Sequence, residues 1–389
     1  MTDKRTVLLF GNNNQNTLGK ARSFGDAGFE PILIWVGPRY NLVKHCKYIN
    51  QWYNVDSYDE GINLLIDKFA NESSKTLVSV EGDGILAAMD SKYDTLNKYF
   101  IFYNAGSQGR LSYYMKKANL IKAALEVGLR VPKTEEVRVG ELPQNLSYPI
   151  ITKAADSFDI GWKLNTHICN TPEELLEAFK SIKSEKILVQ EYVCKKNELM
   201  LQGISINGGD EVFVPIEGSF YRLPKDAYGS FGFFEKYHEG DELYSKLKKL
   251  LQLVRFSGVF ETEFIISENN ELFFLEINFR DTMWNHAFTE MGVNLNKIWA
   301  DSEMAGHLVS GESIITRPQH LFMHEFVDFN RYVKSREISL FEWFKDFHRT
   351  NTCMEYDRTD IIPFLVHLWM IFLKRLERLG LAKKGAHMT

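Results

Sequence analysis

The chain has 389 residues, 44% of them apolar and 25% charged, with a formal net charge of -5. At ~150 residues per domain this length corresponds to roughly two to three domains, each able to bury a core. The mildly acidic, mixed composition supplies no basic field for nucleic acid, which is excluded as an expected partner. Cys46, Cys169, Cys194 and Cys353 stand far apart with no C-x-x-C pair, so neither a disulfide framework nor a zinc site is expected. No signal-like apolar core opens the chain, and the expected compartment is the cytoplasm.

The first elements alternate strand and helix. The run VLLF at 7–10, the run PILIWV at 31–36 and the run TLVSV at 76–80 read as buried parallel strands. Residues 20–27 and 58–69 read as the helices between them, with 11–19 as a polar turn. That turn is either an ordinary strand-to-helix connection, a substrate-side loop or a phosphate-binding turn, since it lacks G-x-G-x-x-G. Asp83, just after the third strand, either turns the chain as part of Asp-Gly or faces a ligand at the sheet's end.

A helix is expected over 113–127, stopping at Gly128 before Val131 and Pro132. Next come a strand at 149–152, a helix at 172–182 capped by Thr171, and strands at 187–190, 199–206 and 212–216. A helix over 243–253 precedes two strands, 259–266 and 271–277, joined by the polar turn 268–270 as a hairpin.

The hairpin carries the chemistry. Strand alternation places Glu261 and Glu263 on one face of its first strand, and Glu276 and Asn278 on one face of its second. Carboxylates among apolar neighbours need cations, and magnesium with its preference for oxygen ligands is suited to them when phosphates are present. Arg280 keeps the same phase and can fork onto a phosphoryl or carboxylate group. The bland alternative is an exposed sheet face on which these acids pair with lysines.

This hairpin resembles the metal-binding signature of the ATP-grasp enzymes, in which a Glu on one strand and Glu-x-Asn-x-Arg on the next hold a pair of magnesium ions against the ATP phosphates. The usual proline spacer is Phe279 here, a departure that touches no ligand. The resemblance implies metal ligands Glu263, Glu276 and Asn278, and ATP with Mg2+, or Mn2+ as its substitute, as cofactors. It implies Lys117 (with Lys116 the alternative) and Lys153 as phosphate-binding lysines, and residues 154–161, including Ser157 and Gly161, as the phosphate-covering loop. That loop is poorer in glycine than in many members, so fewer of its positions allow close backbone approach. Gln190, Glu191 and Val193 match the linker whose backbone reads adenine, and Glu198 the ribose ligand. Lys153 and Arg280 are the implied catalytic cations, and Arg222, on the approach to the segment 228–234, is either a further catalytic cation or a surface arginine.

The likeness is strongest to the branch of carbamoyl-phosphate-synthase-like and D-aspartate-ligase-like proteins, and spans about residues 1–310. It implies an α/β and α+β architecture: an N-terminal parallel-sheet domain at 1–112, a two-subdomain ATP-grasp fold at 113–190 and 191–310, and a mainly helical extension at 311–389. The implied activity is a carboxylate-amine ligase that forms an amide or peptide bond through an acyl phosphate from small-molecule acid and amine substrates. A kinase-like phosphotransferase and a non-catalytic nucleotide-binding module are the alternatives. Trp284, Asn285 and His286 either shape specificity or pack in the core. In the extension, an apolar stripe at 363–381 with Lys374, Arg375, Arg378, Lys383 and Lys384 fits a membrane-surface helix, a partner-docking helix or one packed on its own protein. A homodimer is a further candidate assembly.

Overall fold

Short apolar runs near the N-terminus pair as parallel strands: β1 (Thr6–Gly11), β2 (Glu30–Val36), β3 (Gln51–Val55), β4 (Thr76–Val80) and β5 (Phe100–Ile101), in the order β3-β2-β1-β4-β5. The structure is a computed structural model, and it describes residues 5–38, 41–71, 73–153, 166–224, 228–238, 240–309 and 318–381. Helices cover both faces of this sheet, so a central strand is apolar throughout: Val7, Leu8, Leu9 and Phe10 are at most 1% exposed. β3 and β5 were not expected, because β3 is a half-exposed edge without a continuous apolar run and β5 has two residues. The first helix starts earlier than its apolar pattern suggests, at Gln15–Asp26, because the Asn14 side chain accepts the Thr17 N-H and makes the polar turn a cap.

The helix expected over 113–127 is two, Arg110–Met115 and Lys117–Glu126, broken at Lys116 in extended conformation. A second sheet follows, with β6 (Thr134–Arg138), β7 (Ile150–Lys153), β8 (Ile168–Cys169) and β9 (Lys186–Glu191) in the order β6-β9-β7-β8. Thr171 caps the helix Pro172–Phe179 as its sequence signature predicts. That helix buries Leu175 and Phe179 with Ile150, Ile187 and Val189 in a core of the sheet's own.

The third sheet is antiparallel but for its last pair. It contains β10 (Lys195–Ile206), β11 (Glu211–Arg222), β12 (Phe231–Lys236), β13 (Gly258–Ser267), β14 (Leu272–Asn278), β15 (His320–Met323) and β16 (Thr352–Cys353), ordered β14-β13-β10-β11-β12-β15-β16. Asn270 closes the β13–β14 turn at φ 60°, a left-handed conformation that asparagine tolerates. The extension is mainly helical as expected, and two short strands in it, β15 and β16, continue the central sheet beyond β12. Strands of four and two residues carry too little alternation to be read from sequence.

The C-terminal segment is also clamped to the first domain. Arg22, 1% exposed, donates from Nε to Asp360 Oδ2 at 2.9 Å and from Nη2 to the Glu355 and Asp360 carbonyls at 2.9 and 3.1 Å. The Lys47 N-H closes the clamp on Asp360 Oδ1 at 2.9 Å. Removing one partner strands a buried charge, so Arg22→Met is expected to cost about 3–5 kcal/mol in urea unfolding. A loss below about 1 kcal/mol would mean that the pair behaves like a surface ion pair and anchors nothing.

Candidate active site

The hairpin of β13 and β14 brings its acidic residues into register. Glu263 lies opposite Glu276, and Glu261 opposite Asn278. On the other side of β13, Gln202 of β10 faces Glu261, Met200 faces Glu263, and Glu198 faces Ile265. Opposed residues share a face, so Glu198, Glu261, Glu263, Glu276 and Asn278 project from one surface across three strands. A bulge helps, since the register steps from Glu263–Glu276 to Phe264–Phe274 and skips Leu275. That extra residue lets Phe273 and Phe274 both bury, at 7% and 1% exposure, while Glu276 keeps the acidic face.

Hydrogen bonds orient the acids. Asn278 Nδ2 donates to Glu263 Oε1 at 3.1 Å, and Thr282 Oγ1 donates to Glu261 Oε2 at 2.9 Å. Burial, together with the charges of Glu276, Glu261 and Glu198, holds the Glu263 carboxyl well above the ordinary range. Burial lifts Glu261 to about 7 and raises Glu198, the latter opposed by Lys195 at 2.7 Å. A site that pushes its own acids toward protonation is short of positive charge. Its donors are carboxylate and amide oxygens without thiol or imidazole, a set that fits Mg2+ or Mn2+.

Cations approach from the second sheet. Lys153 ends β7, and Lys117 opens the helix after the Lys116 break, with Nζ 4.0 Å from Glu276 Oε2. Burial and the neighbouring Lys117 ammonium bring Lys153 down to about 8, against the pull of Glu276 and Glu198. Lys117, Lys153, Lys195, Glu198 and Glu276 therefore feel one another although four separate elements carry them. Lys195 escaped the sequence reading; its signal was the spacing to Glu198 along a strand. Gln202 escaped it too: fully buried opposite Glu261, its amide finds no hydrogen-bond partner among the described residues.

Other expected residues fall differently. The Glu191 N-H donates to the Lys133 carbonyl at 2.8 Å, so that donor is already engaged, and Gln190 Nε2 donates to Thr134 Oγ1 at 2.8 Å. Val193 lies in the connection from β9 to β10. Ser157 and Gly161 lie outside the described residues. Arg222, read as a candidate catalytic cation, pairs through Nε with Asp328 Oδ1 at 3.1 Å and through Nη1 with Asp346 Oδ2 at 2.8 Å, which ties β11 to the C-terminal helices. Trp284 is a core residue, 4% exposed and 4.3 Å from the Phe322 ring.

Arg280 reaches the N-terminal sheet. Its Nε and Nη2 fork onto Asp83 at 2.7 and 3.3 Å, and Nη1 stands 3.9 Å from Glu81. Asp83 is thereby an ion-pair partner at the start of the helix Asp83–Asp90. Behind it, fully buried Lys20 stands 3.6 Å from Glu81 and 3.8 Å from Asp281, and Asn16 donates to Glu81 at 2.7 Å. This polar seam joins the end of β4 to the residues following β14.

The geometry has relatives. No family model matches the chain. The N5-carboxyaminoimidazole ribonucleotide synthase of Staphylococcus aureus strain COL is 25% identical over 166 residues, which span 42% of this chain and 42% of that protein. The solved N5-carboxyaminoimidazole synthetase of Staphylococcus aureus superposes with a TM-score of 0.65 at 16% identity, covering 86% of this chain and 85% of the other. An L-amino acid ligase from Bacillus licheniformis gives 0.60 at 13% identity, over 82% and 78%. The Aspergillus clavatus synthase, solved with ADP and its aminoimidazole ribonucleotide, gives 0.62 at 14% identity, over 82% of each chain. In architecture and order of elements the chain therefore shares the fold of these synthases and of the amino acid ligase.

Proposed function

We propose that the chain is an ATP-dependent carboxylate-amine ligase working through an acyl phosphate. The observation that carries the reading is the convergence of Glu198, Glu263, Glu276 and Asn278 of one sheet with Lys117 and Lys153 from outside it. Acids short of cations beside lysines short of anions form a site complementary to a metal-bound polyphosphate. The names of the similar proteins, an N5-carboxyaminoimidazole ribonucleotide synthase and an L-amino acid ligase, support that reading.

In this reading Glu263, Glu276 and Asn278 hold one or two magnesium ions, which supply charge neutralisation along the triphosphate. Lys117 and Lys153 bind phosphate oxygens, and Glu198 faces the nucleotide sugar. A substrate carboxylate oxygen attacks the γ-phosphorus, the bond to the bridging oxygen breaks, and ADP leaves. The amine nitrogen then attacks the acyl carbon, phosphate departs, and the amine loses a proton. The protein contributes position and electrostatics and needs no covalent nucleophile. Arg280, at the junction with the N-terminal sheet, orients the acid between that sheet and the hairpin.

Two experiments test the site. Glu263→Gln replaces an acid that the apo protein already drives toward its neutral form, and a carboxyl whose folded value is raised burdens the folded state above its unfolded value. The variant is expected to melt no lower than the parent near neutral pH while losing metal-dependent nucleotide binding. Glu276→Gln is expected to lower ADP release from acid and amine mixtures by roughly a hundredfold or more with the fold retained; activity near that of the parent would sink the metal assignment. ADP release without an amine, leaving a stable phosphorylated acid, would instead identify a phosphotransferase.

Lys153 gives a pH test. Its ammonium is lost in the free protein as pH rises through about 8, and a bound phosphate restores it. Calorimetry of ADP binding above that pH in buffers of different ionisation enthalpy is expected to show proton uptake, absent in Lys153→Met. No uptake in the parent would place the phosphates away from Lys153.

A further inference from the structure

The last helix among the described residues, Ile362–Arg378, is apolar over most of its length, yet Pro363 is the one of its residues that is buried. Leu365, Trp369 and Phe372 are 48%, 58% and 49% exposed. Across a groove of about 860 Å³ lies the helix Leu340–Arg349, whose Phe341 and Phe344 are 80% and 55% exposed. Aromatic rings including Phe329, Trp343 and Phe347 line the groove, and Lys334, Lys374, Arg375 and Arg378 stand along it. Apolar surface of this extent, continuous over two helices, marks an interaction site.

Charge and shape select the occupant. A chain with net charge -5 gathers Lys334, Lys374, Arg375 and Arg378 beside this exposed apolar face, a pairing suited to a partner both oily and anionic. No described helix is long and apolar enough to cross a membrane, so the helix can lie along one instead. Trp369, its ring 5.5 Å from that of Phe372, is the residue type that settles at headgroup depth. Two copies meeting across this face about a twofold axis would oppose rims of the same sign.

We propose that this face docks on an anionic phospholipid bilayer, with Leu365, Trp369 and Phe372 entering the acyl boundary and Lys374, Arg375 and Arg378 meeting lipid phosphates. The proposal is independent of the ligase reading. Docking would hold the catalytic sheet beside a membrane through β15 and β16, the strands that stitch the C-terminal segment to it.

The test is sedimentation of the full chain with vesicles of phosphatidylcholine alone or mixed with an equal part of phosphatidylglycerol, at low and high salt. The chain is expected to pellet with the anionic vesicles, to stay in solution with the neutral ones, and to be released by salt. Joint charge reversal by Lys374→Glu, Arg375→Glu and Arg378→Glu should weaken vesicle binding by roughly a hundredfold. Trp369→Glu should weaken it as well, with the parent's melting temperature preserved because all four side chains are exposed. Failure to pellet with anionic vesicles at low salt, equal pelleting with neutral ones, or unchanged binding by variants that melt like the parent would overturn the proposal. So would a dimer in light scattering that Trp369→Glu converts to a monomer, since the face would then belong to a second copy.

Discussion

Acidic side chains facing one another on a single sheet surface cannot all stay ionised away from water unless positive charge is brought to them. Glu198, Glu261, Glu263 and Glu276 impose that condition on this protein, and burial raises the carboxyls of Glu198, Glu261 and Glu263 above the ordinary range. Such an arrangement costs stability and serves no packing purpose that hydrophobic residues would not serve better. Its persistence on a rigid three-strand platform is what one expects of groups built to receive a cation.

The rest of the fold reads as support for that platform. The Leu275 bulge sets the phase of Glu276 without exposing Phe273 or Phe274. The second sheet, with a core of its own, delivers Lys153 from the opposite side, and the break at Lys116 turns Lys117 toward Glu276. At the far end Arg280, Glu81, Asp83, Lys20 and Asp281 lock the residues after β14 onto the N-terminal sheet, where small substrates of open parallel sheets commonly bind. The acidic face, the lysines beside it and the ion-paired seam to the N-terminal sheet thus share one mechanical unit.

Much of this was legible in the sequence because strand alternation is local. Glu261, Glu263, Glu276 and Asn278 could be assigned a common face from their spacing, and the Thr171 cap and the hairpin turn from their residue types. What escaped depended on contacts distant along the chain. Arg222 looked available until Asp328 and Asp346, more than a hundred positions away, were seen to bind it. Lys20 and Lys195 look like ordinary surface lysines in one dimension, yet one is fully buried and the other partners Glu198. The two short strands in the extension escaped for a different reason: β15 is a strand because β12 offers it an edge, and β16 because β15 offers the next, not because of their own pattern.

Crystals grown with ADP and Mn2+ and measured at the manganese edge test the central claim most directly. The account predicts an anomalous peak bounded by Glu263, Glu276 and Asn278, with the terminal phosphate of ADP between it and Lys153. A manganese peak elsewhere, or a diphosphate bound away from the hairpin, would contradict it.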